Sequence, residues 1–261
     1  MRQAQRLRHL IAASTLAFAA TAQAGTVTVA ADAFGYANGA LAGQIGGSGW
    51  TSAWGSKGGA PSVNGSGLVF AGNNNNAAYR SLGTQTSDIV VKFTLSVSGA
   101  PQNNDFLGLW FDNESTSDHL DVPNIGLKGN CGTNCSGGLD VFVRTTGTAG
   151  SFTSPITPNI EYTIFGLLQK TGSATVYNKF SVWVNPTGGE MESFTGADAV
   201  ATGLSSLSSF NTIGFRTANL SDNLTVRVDN LSVSAVPEPA SVLLAGMGLL
   251  AAGAASRRRR A

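Results

Sequence analysis

The chain has 261 residues, few charged side chains (12%) and a formal net charge of +1 at pH 7. The net charge hides an asymmetry, because seven of the sixteen basic residues lie at the two ends. Residues 25–236 hold nine basic and fourteen acidic side chains, which leaves a charge of −5. This acidic body argues against nucleic acid as a partner, because phosphate backbones require basic surface.

The N-terminus has the layout of a secretory signal peptide. Three arginines precede a short apolar stretch, residues 10–20, and small side chains follow at Ala22 and Ala24. A charged start, a short apolar segment and an A-x-A site define such peptides, whereas a membrane span needs about 20 apolar residues. We expect residues 1–24 to engage the Sec translocon and to be removed by signal peptidase after Ala24.

Short alternating runs bounded by Gly, Asn, Ser and Pro predict strands throughout residues 25–235. The predicted strands are Thr26–Ala31, Gly67–Ala71, Ala78–Leu82, Ile89–Val97, Phe106–Phe111, Asn124–Lys128, Leu139–Arg144, Tyr162–Gln169, Lys179–Asn185, Thr212–Arg216 and Leu224–Val233. One helical turn is expected within Gly196–Ser209. Such a strand count predicts an all-β fold, a two-sheet antiparallel jelly-roll sandwich forming a single domain.

Alternation also predicts which side chains face the core. In Ile89–Val97 and Leu224–Val233, every second residue is apolar, and a break at Asp229-Asn230 indicates a β-bulge. The predicted inward residues are Val91, Phe93, Leu95, Val97, Val226, Val228, Leu231 and Val233.

Cys131 and Cys135 are the two cysteines of the chain. In an oxidising compartment a close pair favours a disulfide that fixes a turn. A zinc site would need further Cys or His ligands, and His119 is the single histidine of residues 25–235.

Two acidic groups are candidates for chemistry. Glu190 and Glu192 are the closest match to the paired acids of a glycoside hydrolase, but they follow turn residues, which favours a solvated loop. The run from Asp112 through Glu114 and Asp118 offers oxygen ligands for calcium, although its spacing fits no EF-hand. We therefore expect no catalytic group and no cofactor, with calcium at Asp112, Glu114 and Asp118 as an alternative to a plain loop.

Four tryptophans are the remaining candidates. Trp110 and Trp183 lie within predicted strands, which favours a place in the core. Trp50 and Trp54 lie in a Gly-rich stretch, where an exposed indole could stack on a sugar ring.

The C-terminal segment reads Val236-Pro237-Glu238-Pro239, followed by an apolar run, residues 240–255, and Arg257, Arg258, Arg259 and Arg260. The apolar run is marginal for a membrane span, and the arginines would keep the tail end cytoplasmic. An ordinary membrane anchor is the plain alternative to a processed signal.

This order of Pro-Glu-Pro, short apolar helix and arginine cluster resembles the signal of PEP-CTERM proteins. The resemblance implies recognition by an exosortase at Pro237, Glu238 and Pro239, while a short transmembrane helix holds the precursor transiently in the inner membrane. It also implies removal of the tail and delivery to the cell surface, the extracellular matrix or the medium. The chain then divides into a signal peptide (1–24), a β-sandwich (25–235) and a sorting signal (236–261).

The body carries short sequence segments similar to those of proteins with this tail, at Phe34-Gly35-Tyr36, Gly46–Trp50, Val182–Thr187 and Arg227–Val233. It resembles a concanavalin A-like, laminin-G-like sandwich, a superfamily that often binds carbohydrate and sometimes hydrolyses it. Three functions follow, in decreasing order of support: a non-enzymatic surface protein associated with exopolysaccharide, a lectin-like module, and a glycoside hydrolase or lyase.

Overall fold

The computed structural model describes residues 25–56, 61–65, 67–70, 72, 77–113, 122–129, 138–147, 150–220 and 223–237. The predicted signal peptide, the cysteine pair, Glu114, Asp118 and the sorting signal from Glu238 onward, with its expected transmembrane helix, lie outside these residues. Within the described ranges, no helix has both the length and the apolar character needed to cross a bilayer.

The described residues form fifteen strands and one short helix. The strands are β1 (Val27–Asp32), β2 (Gly39–Ala40), β3 (Ser62–Val63), β4 (Leu68–Phe70), β5 (Ala78–Gln85), β6 (Asp88–Gly99), β7 (Phe106–Asp112), β8 (Asn124–Gly129), β9 (Leu139–Arg144), β10 (Ser151–Ile156), β11 (Glu161–Gln169), β12 (Lys179–Val184), β13 (Ala199–Thr202), β14 (Phe210–Ala218) and β15 (Leu224–Val236). The helix is α1 (Gly188–Ser193).

Two antiparallel sheets pack face to face. One has nine strands in the order β13-β12-β11-β6-β15-β4-β3-β2, with β1 also paired to β15. The other has six strands in the order β10-β9-β8-β7-β14-β5. The predicted all-β, two-sheet antiparallel sandwich is therefore confirmed, and the neighbours β6 and β15 lie in the middle of the larger sheet.

The core lies between the sheets and follows the predicted alternation. The inward residues predicted for β6 and β15 are all at most 1% exposed. Phe111 of the smaller sheet meets Phe180 of the larger one edge-on, with ring centroids 5.8 Å apart. Trp110 is buried in this core, as predicted, whereas Trp183 is buried in a separate apolar cluster on the outer face of the larger sheet.

Gly166 marks a close approach of the two sheets. A Cβ atom at this position of β11 would lie 2.7 Å from Cδ1 of Ile125 on the opposite sheet. A side chain there would push the sheets apart, because cores pack without spare volume.

Two local predictions are wrong. The segment Gly196–Ser209 contains the strand β13 instead of a helical turn, since residues 199–202 pair along the otherwise open edge of β12. Glu190 and Glu192 lie in helix α1 instead of a loop. A capping box starts this helix, with the Thr187 side chain and Glu190 each accepting a backbone hydrogen bond from the other residue.

Candidate functional site

The outer face of the nine-stranded sheet carries three rows of side chains that run across β11, β6 and β15. The rows are Phe165–Lys92–Ser232, Thr163–Thr94–Asp229 and Glu161–Ser96–Arg227. Directly opposed residues of an antiparallel pair point to the same side of the sheet. We call the surface formed by the polar side chains of these rows the outer groove.

Two clefts lie along this groove. The first has a volume of about 630 Å³ and is lined by Lys92, Thr94, Thr163, Asn230 and Ser232, with Gly47 and Ser48 of the β1–β3 region at one side. The second has a volume of about 440 Å³ and is lined by Ser96, Glu161, Thr225 and Arg227 among others. From Lys92 to Ser96 the groove follows β6 for roughly 13 Å, the length of four residue steps in a strand.

The predicted bulge in β15 shapes the groove. The register of β15 against β6 shifts between Asp229 and Ser232, and Asn230 takes a left-handed conformation with φ of 52°. Asn tolerates this conformation better than most residues. The Asp229 Oδ1 atom accepts a 2.6 Å hydrogen bond from the Asn230 N–H, so the bulge places an acid directly beside Asn230, which lines the first cleft.

The electrostatics of the groove centre on Asp229. Burial raises the pKa of this carboxyl, and the negative charges of Glu161 and Asp32 raise it further. The hydrogen bond from the Asn230 N–H and the positive charge of Arg227 act in the opposite direction. The groove therefore combines acidic, basic and hydroxyl side chains within a few strand spacings.

A buried ion pair supports one side of the first cleft. Asp32 is 3% exposed, and its Oδ2 atom accepts hydrogen bonds from Arg80 Nη1 and Trp54 Nε1, both at 2.8 Å, and from the Tyr36 hydroxyl. The Asp32 Oδ1 atom accepts the Phe34 N–H at 2.8 Å. Burial and the hydrogen bond to Asp32 raise the pKa of Tyr36 to about 12.

Arg80 extends this network to the neighbouring chain segment. Its Nη1 and Nε atoms donate to the carbonyl oxygens of Gly46 and Ser52, each at 2.8 Å. The pair of Asp32 and Arg80 is not among the predicted site residues. The signal was present, however, since alternation places Arg80 on the same inward side of β5 as Ala78 and Leu82, and a buried arginine requires a partner.

The sugar-stacking prediction does not hold for Trp54. Its side chain is 2% exposed and lies against Phe34 and Trp50 in the core, so it has no face for a ligand. Trp50 is half-buried, donates its Nε1–H to the Ala31 carbonyl oxygen at 2.9 Å and has the Arg80 guanidinium 5.0 Å from its ring centroid. Both indoles thus help to hold the segment that flanks the cleft.

Of the predicted acids, Asp112, Glu190 and Glu192 lie among the described residues, and none of them lines either cleft. Asp112 ends β7 on the other sheet, and its Oδ1 atom accepts the Asn113 N–H at 2.7 Å. Hydrogen bonds from Thr187 lower the pKa of Glu190, as expected for a helix-capping carboxylate. Among the described residues no group of three or more His, Cys, Asp and Glu side chains is arranged to hold a metal ion, and the calcium candidates Glu114 and Asp118 lie outside them.

An apolar patch closes one end of the groove. Val90, Phe165, Leu167 and Trp183 pack together on the outer face, and side chains from α1 and the residues after it cover them. The Phe194 ring stacks on Phe165 with centroids 6.2 Å apart. The Trp183 Nε1–H donates to the Thr195 carbonyl oxygen at 2.7 Å, which anchors this cover.

Comparison with solved structures finds β-rich proteins of low similarity. The carbohydrate recognition domain of Emp47p is 11% identical, with 82% of this chain and 100% of that one covered at a TM-score of 0.46. Alginate lyase Aly36B is 11% identical, with 82% of this chain and 98% of the lyase covered at a TM-score of 0.47. A family 16 glycosyl hydrolase from Mycobacterium smegmatis is 11% identical, with 79% of this chain and 99% of the hydrolase covered at a TM-score of 0.45.

A sialidase is also similar, at 12% identity and a TM-score of 0.43, but the chain spans only 16% of its length. The two-sheet fold is established by the strand order and register of the chain itself. No curated protein matches the sequence.

The C-terminal segment of the chain has a more specific match, to a family of sorting motifs. Residues 235–260 match the PEP-CTERM protein-sorting motif, which confirms the resemblance seen at Pro237, Glu238 and Pro239. Such a motif implies an exosortase as processing partner and a precursor anchored through its C-terminal segment. The chain therefore carries a PEP-CTERM sorting motif behind a two-sheet β-sandwich, and that motif indicates an exported surface protein sorted by an exosortase.

Proposed function

We propose that the protein is a non-enzymatic component of the cell surface or extracellular matrix and that its outer groove binds the exopolysaccharide of the producing cell. The observation that supports this proposal is the alignment of hydroxyl and charged side chains in register across β11, β6 and β15. Two adjoining clefts along that line provide space for an elongated ligand.

The groove suits a ligand rich in hydroxyl groups. Lys92 and Arg227 supply donors, Glu161 and Asp229 supply acceptors, and Thr163 supplies a group that does both. Phe165, the large aromatic residue of the three rows, is 4% exposed under its cover. Recognition would therefore depend on hydrogen bonds more than on stacking. We expect a modest affinity for single sugars and stronger binding by a repeating chain.

The test is binding of purified exopolysaccharide to residues 25–236, measured by affinity electrophoresis. We expect Lys92→Ala and Glu161→Gln each to weaken binding about tenfold, which is the loss of about 1.4 kcal/mol from one charge-assisted hydrogen bond. Lys179→Ala on β12 and Glu192→Gln on α1 are matched controls, because they make the same changes outside both clefts. Equal binding by all four variants would contradict the proposal.

The same preparation tests the enzymatic alternative. We expect no release of reducing ends or unsaturated sugars from the exopolysaccharide, since Glu190, one of the two acids closest to a hydrolase pair, serves in a helix cap. Turnover that disappears in Glu190→Gln or Glu192→Gln would establish a glycoside hydrolase or lyase instead.

A further inference from the structure

The sorting motif and the folded domain share residues. The motif match begins at Ala235, and strand β15 continues to Val236. Pro237 ends the strand because proline has no N–H to donate to the ladder. The first two residues of the motif are thus part of the central region of the nine-stranded sheet.

Strand pairing holds Ala235 from both sides and Val236 from one. Ala235 is paired with Val27 of β1 and with Ile89 of β6, and Val236 is paired with Asp88. The Asp88 carboxylate in turn accepts the Gln169 side-chain amide at 3.0 Å and the Lys170 N–H at 2.9 Å. The start of β6, against which Val236 lies, is therefore itself anchored.

Side-chain packing adds to the backbone pairing. Val236 packs against the outer apolar patch formed by Val90, Phe165, Leu167 and Trp183, beside the cover supplied by Met191 and Phe194. Releasing Val236 would expose part of that patch to water, which opposes release in proportion to the apolar area.

We propose that the end of β15 delays processing, because the exosortase acts on its substrate only after Ala235 and Val236 leave the sheet. An enzyme that reads an extended peptide pairs with the backbone groups of that peptide. In the folded domain those groups of Ala235 and Val236 already belong to the ladder. Strand ends open locally at a small fraction of the cost of global unfolding, so the fold sets the rate of processing and does not prevent it.

The first test locks the strand end. Val27 and Ala235 are directly opposed, and opposed residues have Cβ atoms about 4.5–5.5 Å apart, within a small shift of disulfide geometry. In a host that contains the exosortase, we expect oxidised Val27→Cys/Ala235→Cys to lose its tail at least tenfold more slowly than the wild type, measured by intact mass during a chase. Each single cysteine variant, and the double variant with dithiothreitol, should be processed at the wild-type rate.

The second test distinguishes a delay caused by the paired strand end from misfolding of the locked variant. Inserting six Gly and Ser residues between Val236 and Pro237 should restore rapid processing to the locked variant, because the motif is then read without opening the sheet. Val236→Ala should accelerate processing several-fold, whereas Val200→Ala on the exposed side of β13 should not. Processing of the oxidised, locked protein at the wild-type rate would overturn the proposal, while a wild-type tail that is never removed would overturn the exosortase assignment itself.

Discussion

Asp229 is a carboxylate whose surroundings oppose its charge. Burial and two neighbouring acids raise its pKa, so the ionised form is less favourable in the folded protein than in the unfolded chain. This penalty applies at neutral pH and disappears as the pH falls through the raised folded-state pKa, where the native carboxyl takes up its proton first.

The substitution Asp229→Asn removes the penalty and retains an oxygen that accepts the Asn230 N–H. We therefore expect a higher Tm than wild type at pH 7, and a difference that shrinks as the pH approaches the ordinary aspartate range near 4. Thermal unfolding by circular dichroism at pH 7, 5.5 and 4.5 measures this trend. Asp112→Asn, which removes the same charge from the other sheet, serves as the control, and a Tm difference independent of pH would contradict the argument.

Single residues also show where sequence reasoning succeeds. The predicted core positions of Val91 and Leu231 are correct, because a period of two fixes the side of the sheet on which a residue lies. The burial of Trp54 is not predictable in this way, because it depends on a partner, Asp32, that is 22 positions away in sequence. Such pairings depend on sheet topology, which alternation within a strand does not reveal.

Helix α1 and its cap form the element that local patterns identified least well. The residue types of Asn185–Gly189 favour a turn, although Thr187 and Glu190 within and after it also have the spacing of a capping box. The helix matters beyond its length of 6 residues, because the side chains of Met191 and Phe194 cover the outer apolar patch.

We expect Thr187→Ala to lower the free energy of unfolding by about 1 kcal/mol, since it removes the side-chain oxygen that caps the helix. Urea denaturation should show a lower midpoint at an unchanged slope, which is the signature of lost stability without a change in exposed surface. Thr175→Ala, in the exposed connection between β11 and β12, is the matched control. An equal loss in both variants would mean that the cap contributes nothing specific.

The overlooked strands share a physical cause. Strand β10 contains Pro155, which argues against a strand in the interior of a sheet, but β10 is the edge of the six-stranded sheet, where proline is tolerated. Strand β13 has 4 residues and forms at the edge of β12. Edge strands depend on the strand beside them, so their own sequence predicts them poorly.

Across the whole molecule, β15 connects the two ends of the fold. It pairs with β6 along most of its length, with β4 through residues 226–228 and with β1 through residues 231–235. Since β1 ends at Asp32, the buried ion pair to Arg80 also depends on this contact. The strand that completes the core ends at Val236, one residue after the division predicted at residue 235.

This arrangement predicts that residues 25–236 fold without either terminal signal, whereas residues 25–229 do not. The shorter fragment lacks Leu231 and Val233, both at most 1% exposed, and leaves β1 without its partner strand. We expect cooperative urea unfolding and a near-ultraviolet circular dichroism signal for residues 25–236, and neither for residues 25–229. Val233→Asp in the longer fragment keeps the length but buries an unpaired charge. It should likewise abolish cooperative urea unfolding and the near-ultraviolet signal. Cooperative folding of residues 25–229 would mean that the sheets hold together without the second half of β15, and the delay proposed for tail processing would then lose its structural basis.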